Sequence, residues 1–267
     1  MHAGDSDLAL AIADDFHPTA LEESAGRTRL FFSQPDLRDA ACAALSAKYV
    51  IQPVDVDDED WARRSQENLE PVTVGRVTVV SRGIRLHADD GRLKPAVTNS
   101  IVIVIQPSMG FGTGHHATTR LCLSALQEID LTGRDVLDVG TGSGVLAIAA
   151  ERLGAARAVG IDHDCDAIQA ANENLSLNPG VQSVEFQVGD VSTAPLAPAD
   201  VVTANLTGAT LIRSADRLFD LVRPAGTLIV SGLQEDERDD VLRAFPDPPH
   251  LWERHEDGWV ALAMKRS

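Results

Sequence analysis

From Asp135 onward, short apolar runs alternate with stretches whose apolar positions recur every three or four residues. The runs 135–139, 157–161, 184–188, 199–204 and 226–231 predict strands. The stretches 144–153, 165–177, 208–222 and 235–244 predict helices. Alternation at this spacing predicts an α/β fold built on a doubly wound, mostly parallel sheet with helices on both faces. Two further β-like segments, 250–256 and 258–265, are joined by Glu256-Asp257-Gly258. They predict an antiparallel hairpin on the sheet edge, which brings the count to seven strands.

Upstream, the alternating valines of 72–80 and the run Ile101 to Ile105 read as strands. The polar, glycine-containing segment between them is expected to be a mobile loop. Residues 107–116 form a glycine-rich loop, followed by a helix from about Ala117 to Glu128. Residues 1–55 read as a small separate α/β unit. Its predicted elements are a strand at 27–32, a helix at 35–45 and a second strand at 49–54. Leu37, Ala41, Ala44 and Leu45 share one side of that helix. The acidic run Asp55 to Asp60 marks a solvated linker or helix start, and Asp60-Trp61 opens a short helix. The expected division is a docking domain at 1–55, a linker at 56–72 and a main domain at 73–267.

Net charge changes the picture of partners. The 267-residue chain carries 40 acidic against 23 basic side chains, a formal charge of −17. Such a surface repels phosphate backbones and excludes broad nucleic-acid binding, while it attracts a basic protein. Three scattered cysteines, Cys42, Cys122 and Cys165, make no metal-ligand pattern and fit a reducing cytoplasm as buried small apolar residues. No metal site is expected. The acidic N-terminus lacks a signal-peptide pattern, and no apolar run reaches membrane-span length.

The candidate chemistry gathers at the predicted carboxyl ends of the strands, where ligands bind in such sheets. Asp138 precedes a turn with the spacing Gly140-x-Gly142-x-Gly144. A strand, a glycine turn and a helix start bring bare backbone N–H groups to a ligand. A dinucleotide fingerprint would place its third glycine one residue later, so the spacing points to S-adenosylmethionine (SAM). Asp162 ends the next strand, and a carboxylate there can accept both hydroxyls of a ribose. Asp190 ends the following strand, where an acid or its neighbours meet an adenine. Asn205 lies just past the fourth strand, placed to orient an amine toward the methyl group. Thr118 and Thr119 start the helix behind the loop 107–119. His115 and His116 stand beside them without metal partners. Apart from that constellation, these glycines and acids also serve as ordinary turn and capping residues.

Residues 107–231 resemble the PrmA family, bacterial lysine methyltransferases of large-subunit ribosomal protein L11. The resemblance is carried by Pro107 to Thr119, Leu131 to Gly144, Leu146 to Ala150, Leu153 to Ala156, Gly160-Ile-Asp162, Ala167-Ile168 and Asp200 to Asn205. Asp60-Trp61 to Val80 resembles the family's linker and first strand. The resemblance implies a seven-stranded Rossmann-like methyltransferase domain. It implies SAM contacts at Thr119, Gly140, Asp162 and Asn205, and an N-terminal domain that docks the ribosomal protein. The chain departs from the pattern at His115, where the family commonly has threonine, and at Ala117, where it commonly has proline. Residues 1–55 are also short for the family's docking domain. Alternatives left open are methylation of another protein or a small molecule, a SAM-binding protein without activity, and an NAD-dependent oxidoreductase.

Overall fold

The computed structural model describes residues 16, 20–24, 27–31, 35–46, 48–49, 51, 53, 70–82, 100–106, 115–246 and 250–266. The chain divides into two compact units, Met1–Asp60 and Trp61–Ser267.

In the first unit, β1 (Ala20–Ser24) and β2 (Arg27–Phe31) form an antiparallel hairpin, followed by α1 (Pro35–Leu45). The strand expected at 49–54 is not formed at its described positions, Tyr49, Ile51 and Pro53. The partner of β2 is instead Ala20–Ser24, whose Leu-Glu-Glu-Ser composition hides a strand from a hydrophobicity reading. Tyr49 and Ile51 pack with Leu30 against Leu45, so their apolar character goes into a small core. The helix expected from Asp60 lies outside the described residues, as do the segment 83–99 and the loop positions 107–114.

The second unit begins with a three-stranded sheet in the order β3-β4-β5. β3 (Val72–Val74) and β4 (Val77–Ser81) are a hairpin turned at Gly75-Arg76, and β5 (Ile101–Ile105) runs parallel to β4. Next comes α2 (Ala117–Gln127). Then β6 (Asp135–Val139), α3 (Val145–Arg152), β7 (Arg157–Asp162), α4 (Cys165–Ser176), β8 (Val184–Val188), β9 (Ala199–Asn205) and α5 (Gly208–Asp220) follow in strict alternation. The chain ends with β10 (Val222–Gln234), α6 (Arg238–Ala244) and the hairpin β11 (His250–Glu256) and β12 (Trp259–Lys265).

These strands build a seven-stranded sheet in the order β11-β12-β10-β9-β6-β7-β8. β12 pairs antiparallel with both neighbours, while β10, β9, β6, β7 and β8 are mutually parallel. The strand period of two sorts side chains onto two faces. Val136, Val201, Ile229 and Ala263 join Leu123, Leu126 and Ile148 of α2 and α3 and Ile103 and Ile105 of β5. Their chain neighbours Leu137, Val202, Val230 and Leu262 point the other way, against Leu211, Leu218 and Val241 of α5 and α6. Burial on both faces explains why the central strands read as continuous apolar runs rather than alternating ones.

β10 is longer than the sequence suggests. It starts at Val222, within the stretch expected to be helical, and pairs with Ala199 before its register shifts and resumes at Thr227. Pro224, which has no N–H for a ladder, and Ala225 at φ 60° occupy that interruption. At the amino end of the sheet, Arg223 bridges Asp135 at 2.7 Å and Asp200 at 2.9 Å, tying β6, β9 and β10 together.

Candidate active site

The carboxyl ends of β9, β6, β7 and β8 lie side by side and carry, in that order, Asn205, the glycine turn, Asp162 and Asp190. The turn therefore stands between the carboxylate of Asp162 and the carboxamide of Asn205. Its shape is fixed by backbone bonds. The N–H groups of Gly140 and Thr141 both donate to Ile161 O at 2.9 Å, and that of Gly144 donates to Thr141 O at 2.9 Å. Gly140, Gly142 and Gly144 all have positive φ, and Gly144 is the left-handed N-cap of α3. Two of the glycines also serve packing. A Cβ on Gly140 would meet Leu206 Cδ2 at 2.3 Å, and one on Gly144 would meet Phe186 Cζ at 2.5 Å. The expectation that small residues there leave room for a ligand is thus joined by a second reason: Leu206 and Phe186 already fill those spaces.

Asp162 is held from both sides. Oδ2 accepts the N–H of Gly142 at 3.0 Å and Oδ1 accepts that of Asp164 at 3.1 Å. The side chain is only 11% exposed, with His163 Nδ1 at 3.4 Å from Oδ1. Each oxygen retains a lone pair, so an oriented carboxylate can accept two hydroxyls. Asp164, not Asp162, caps α4 through its bond from Asp166 N at 2.9 Å. Asp190 is committed locally. Its Oδ1 accepts from Ser192 N at 2.7 Å and Ser192 Oγ at 2.5 Å, bonds that hold its carboxyl below the usual range. The geometry gives Asp190 a turn-forming role beside Asp162.

Asn205 ends β9 half-buried, paired in register with Ser231 of β10. Leu206 N donates to Ser231 O at 3.0 Å, which carries the chain across the sheet top before Thr207 starts α5. Thr118 and Thr119 are buried in the first turn of α2. His116 caps that helix, its Nδ1 accepting from Thr118 N at 3.4 Å, and its ring packs edge-on against Trp259 at 4.9 Å. Burial, with Arg120 nearby, lowers the His116 pKa and favours the neutral ring. His115 Nε2 lies 2.9 Å from Glu70 O.

The sequence reading passed over one network beneath the turn. Asp138 is 1% exposed and accepts from Thr141 Oγ1 and Thr203 Oγ1, each at 2.6 Å. Burial pushes its carboxyl up to about 6, while the two hydroxyls favour the charged form. A signal was available: an aspartate inside an apolar strand demands buried donors, and Thr203 occupies the facing register position. Cys122 is buried beside Asp138, and burial raises its thiol pKa well above the usual range, so it is no nucleophile. The expectation of buried cysteines holds for Cys122 alone: Cys42 is half-buried, and Cys165 is exposed at the start of α4.

The donor set fits SAM. The turn offers α3's N-terminus and an oriented acid for a ribose, and nothing in it supplies the extra residue a pyrophosphate turn requires. The comparisons agree. A family model described as ribosomal protein L11 methyltransferase (PrmA) matches residues 29–267. The chain is 38% identical over 208 residues to the "Ribosomal protein L11 methyltransferase" of Azotobacter vinelandii, covering 78% of this chain and 68% of that one. It is 34% identical over 226 residues to the protein of the same name from Caldicellulosiruptor saccharolyticus, covering 84% and 72%. The crystal structure of a ribosomal protein L11 methylase from Lactobacillus delbrueckii subsp. bulgaricus superposes with a TM-score of 0.65 at 24% identity, over 74% of this chain and 98% of that one, and supports the fold. The chain belongs to the ribosomal protein L11 methyltransferase (PrmA) family and is a SAM-dependent methyltransferase.

Proposed function

We propose that the chain methylates amine groups, of lysine side chains or an N-terminus, on large-subunit ribosomal protein L11, in the cytoplasm. The family match carries this reading. The half-buried carboxamide of Asn205 at the end of β9, across the glycine turn from Asp162, supports it. An acidic surface suited to a basic ribosomal protein supports it too.

SAM, when bound, supplies a methyl group activated by its sulfonium. The residues of the chain then have three tasks. Asp162 accepts the ribose hydroxyls, and the turn from Gly140 to Gly142 presents backbone to the ligand. Asn205, through its carbonyl oxygen, accepts a hydrogen bond from the acceptor amine and aims its lone pair. Closure of the site against water favours a neutral amine, which in water has a pKa of about 10.4. Alignment of amine and methyl is worth roughly 7–11 kcal/mol, so no covalent nucleophile is required. Thr119, buried in the first turn of α2, is the further ligand contact that the family resemblance implies.

The test is incubation of the enzyme with purified large-subunit ribosomal proteins and methyl-labelled SAM, read by mass spectrometry. Label on L11 amines is expected. Label on a different protein, with L11 unmodified, would overturn the substrate assignment and leave the chemistry intact.

A further inference from the structure

Two asparagines at the carboxyl end of α4 stand in for a β-strand. In β5, the N–H of Ile101 and the carbonyl of Ile105 bond toward β4, to Arg76 O and Arg82 N. Parallel-strand geometry therefore turns residues 102, 104 and 106 toward the opposite edge. No strand lies there among the described residues. The side chain of Asn178 instead accepts from Val104 N at 2.9 Å and donates to Val104 O at 2.7 Å. Asn174 Oδ1 accepts from Gln106 N at 2.7 Å. Both side chains are almost fully buried, at 0% for Asn174 and 2% for Asn178.

The two differ in what they reach beyond β5. The remaining side-chain donor of Asn174, Nδ2, reaches Ser143 O at 2.9 Å, inside the glycine turn between Gly142 and Gly144. One buried carboxamide thus spans the end of β5 and the turn that follows β6. Asn178 holds β5 equally well, yet its bonds go to Val104 and to Asn174 O.

We infer that Asn174 is a positioning residue for SAM binding, acting through the Ser143 carbonyl on the turn that presents Gly142 and the Asp162 carboxylate. The inference rests on reading that turn as the SAM site. Gly142 N is bonded to Asp162 Oδ2, so a displaced Ser143 carbonyl shifts the carboxylate that receives the ribose. Replacing Asn174 with aspartate keeps an acceptor for Gln106 N but sets an oxygen against the Ser143 carbonyl. Replacing Asn178 with alanine removes two bonds to β5 and one to the Asn174 carbonyl but none to the turn, so it reports the structural cost of loosening this corner.

The experiment measures SAM and S-adenosylhomocysteine affinity by calorimetry, steady-state KM for SAM, and thermal unfolding. The variants are Asn174→Asp, Asn174→Ser, Asn178→Ala and Asp162→Ala. The expected result is about a tenfold or larger loss of SAM affinity in both Asn174 variants, the equivalent of one lost buried hydrogen bond. Asn178→Ala is expected to lower the unfolding temperature with SAM affinity within about twofold of the parent. Equal effects of the Asn174 and Asn178 variants on SAM affinity would overturn the inference. If Asp162→Ala weakens SAM binding and the Asn174 variants do not, the inference alone fails. If Asp162→Ala also leaves binding unchanged, the reading of the turn fails with it.

Discussion

Asp162 and Asn205 flank one glycine turn and carry different parts of the proposed reaction, which makes them separable by mutation. Asp162→Asn retains the side-chain shape but loses one acceptor, and SAM affinity should fall by about tenfold or more, because hydrogen bonds to charged groups exceed neutral ones. Calorimetry with SAM measures this directly. Asn205→Ala should keep SAM affinity within a modest factor and lose turnover by about a hundredfold or more, since orientation of the acceptor is removed. Full turnover in that variant would eliminate the role. Gly140→Ala combines φ of 71° with a Cβ 2.3 Å from Leu206 Cδ2. It should destabilise the fold by about 1–3 kcal/mol, seen as a lower unfolding temperature. At this scale the placement of the glycines, Asp162 and Asn205 at strand ends was legible because each sits where an apolar run stops. Asn174 and Leu206 were not, because their importance comes from partners 31 to 68 residues away in sequence or from the space a missing Cβ leaves.

Among the elements, the join between the β11–β12 hairpin and the turn after β10 depends on ionisation. His255 on β11 lies between two acids, with Nδ1 3.0 Å from Glu235 and Nε2 2.9 Å from Glu253. Glu253 also binds Arg238 at the start of α6, at 2.7 Å. The two carboxylates raise the His255 pKa above its ordinary value near 6.5. A raised pKa means that the stabilisation is fully present below the unfolded imidazole's value and is lost as pH rises through the folded one. The unfolding-temperature difference between the parent and His255→Gln should therefore be larger at about pH 6 than at about pH 8.5. A difference that is constant with pH would sink this account. The elements from β6 to β9 were legible to within a residue or two: burial on both faces leaves apolar runs in the central strands, and the edge strand β8 still alternates apolar and polar residues. β1 was not legible, because its register with β2 comes from backbone pairing and not from an apolar pattern. The start of β10 was masked by Pro224 and by the α5 periodicity running into it.

At the scale of the whole molecule, the proposed docking of a basic protein on a chain of net charge −17 would work through long-range attraction, which salt screens. The KM for ribosomal protein L11 is expected to rise several-fold between about 50 and 300 mM NaCl, with kcat little changed. A flat KM would show that charge plays no part in docking. The fold class was readable because alternation of strands and helices runs through the whole stretch from β6 to α6 and survives local errors. The cofactor turn alone could not name the substrate, since it looks alike whichever amine it serves; ribosomal protein L11 was legible only through the family resemblance of the longer stretch 107–231. Leu206 has a consequence for redesign. Its side chain sits where Gly140 would carry a Cβ, and its carbonyl sits 2.3 Å from the Cβ position of Gly232. A laboratory lineage selected for bulkier acceptors will find this stretch of backbone closed to single substitutions at either glycine.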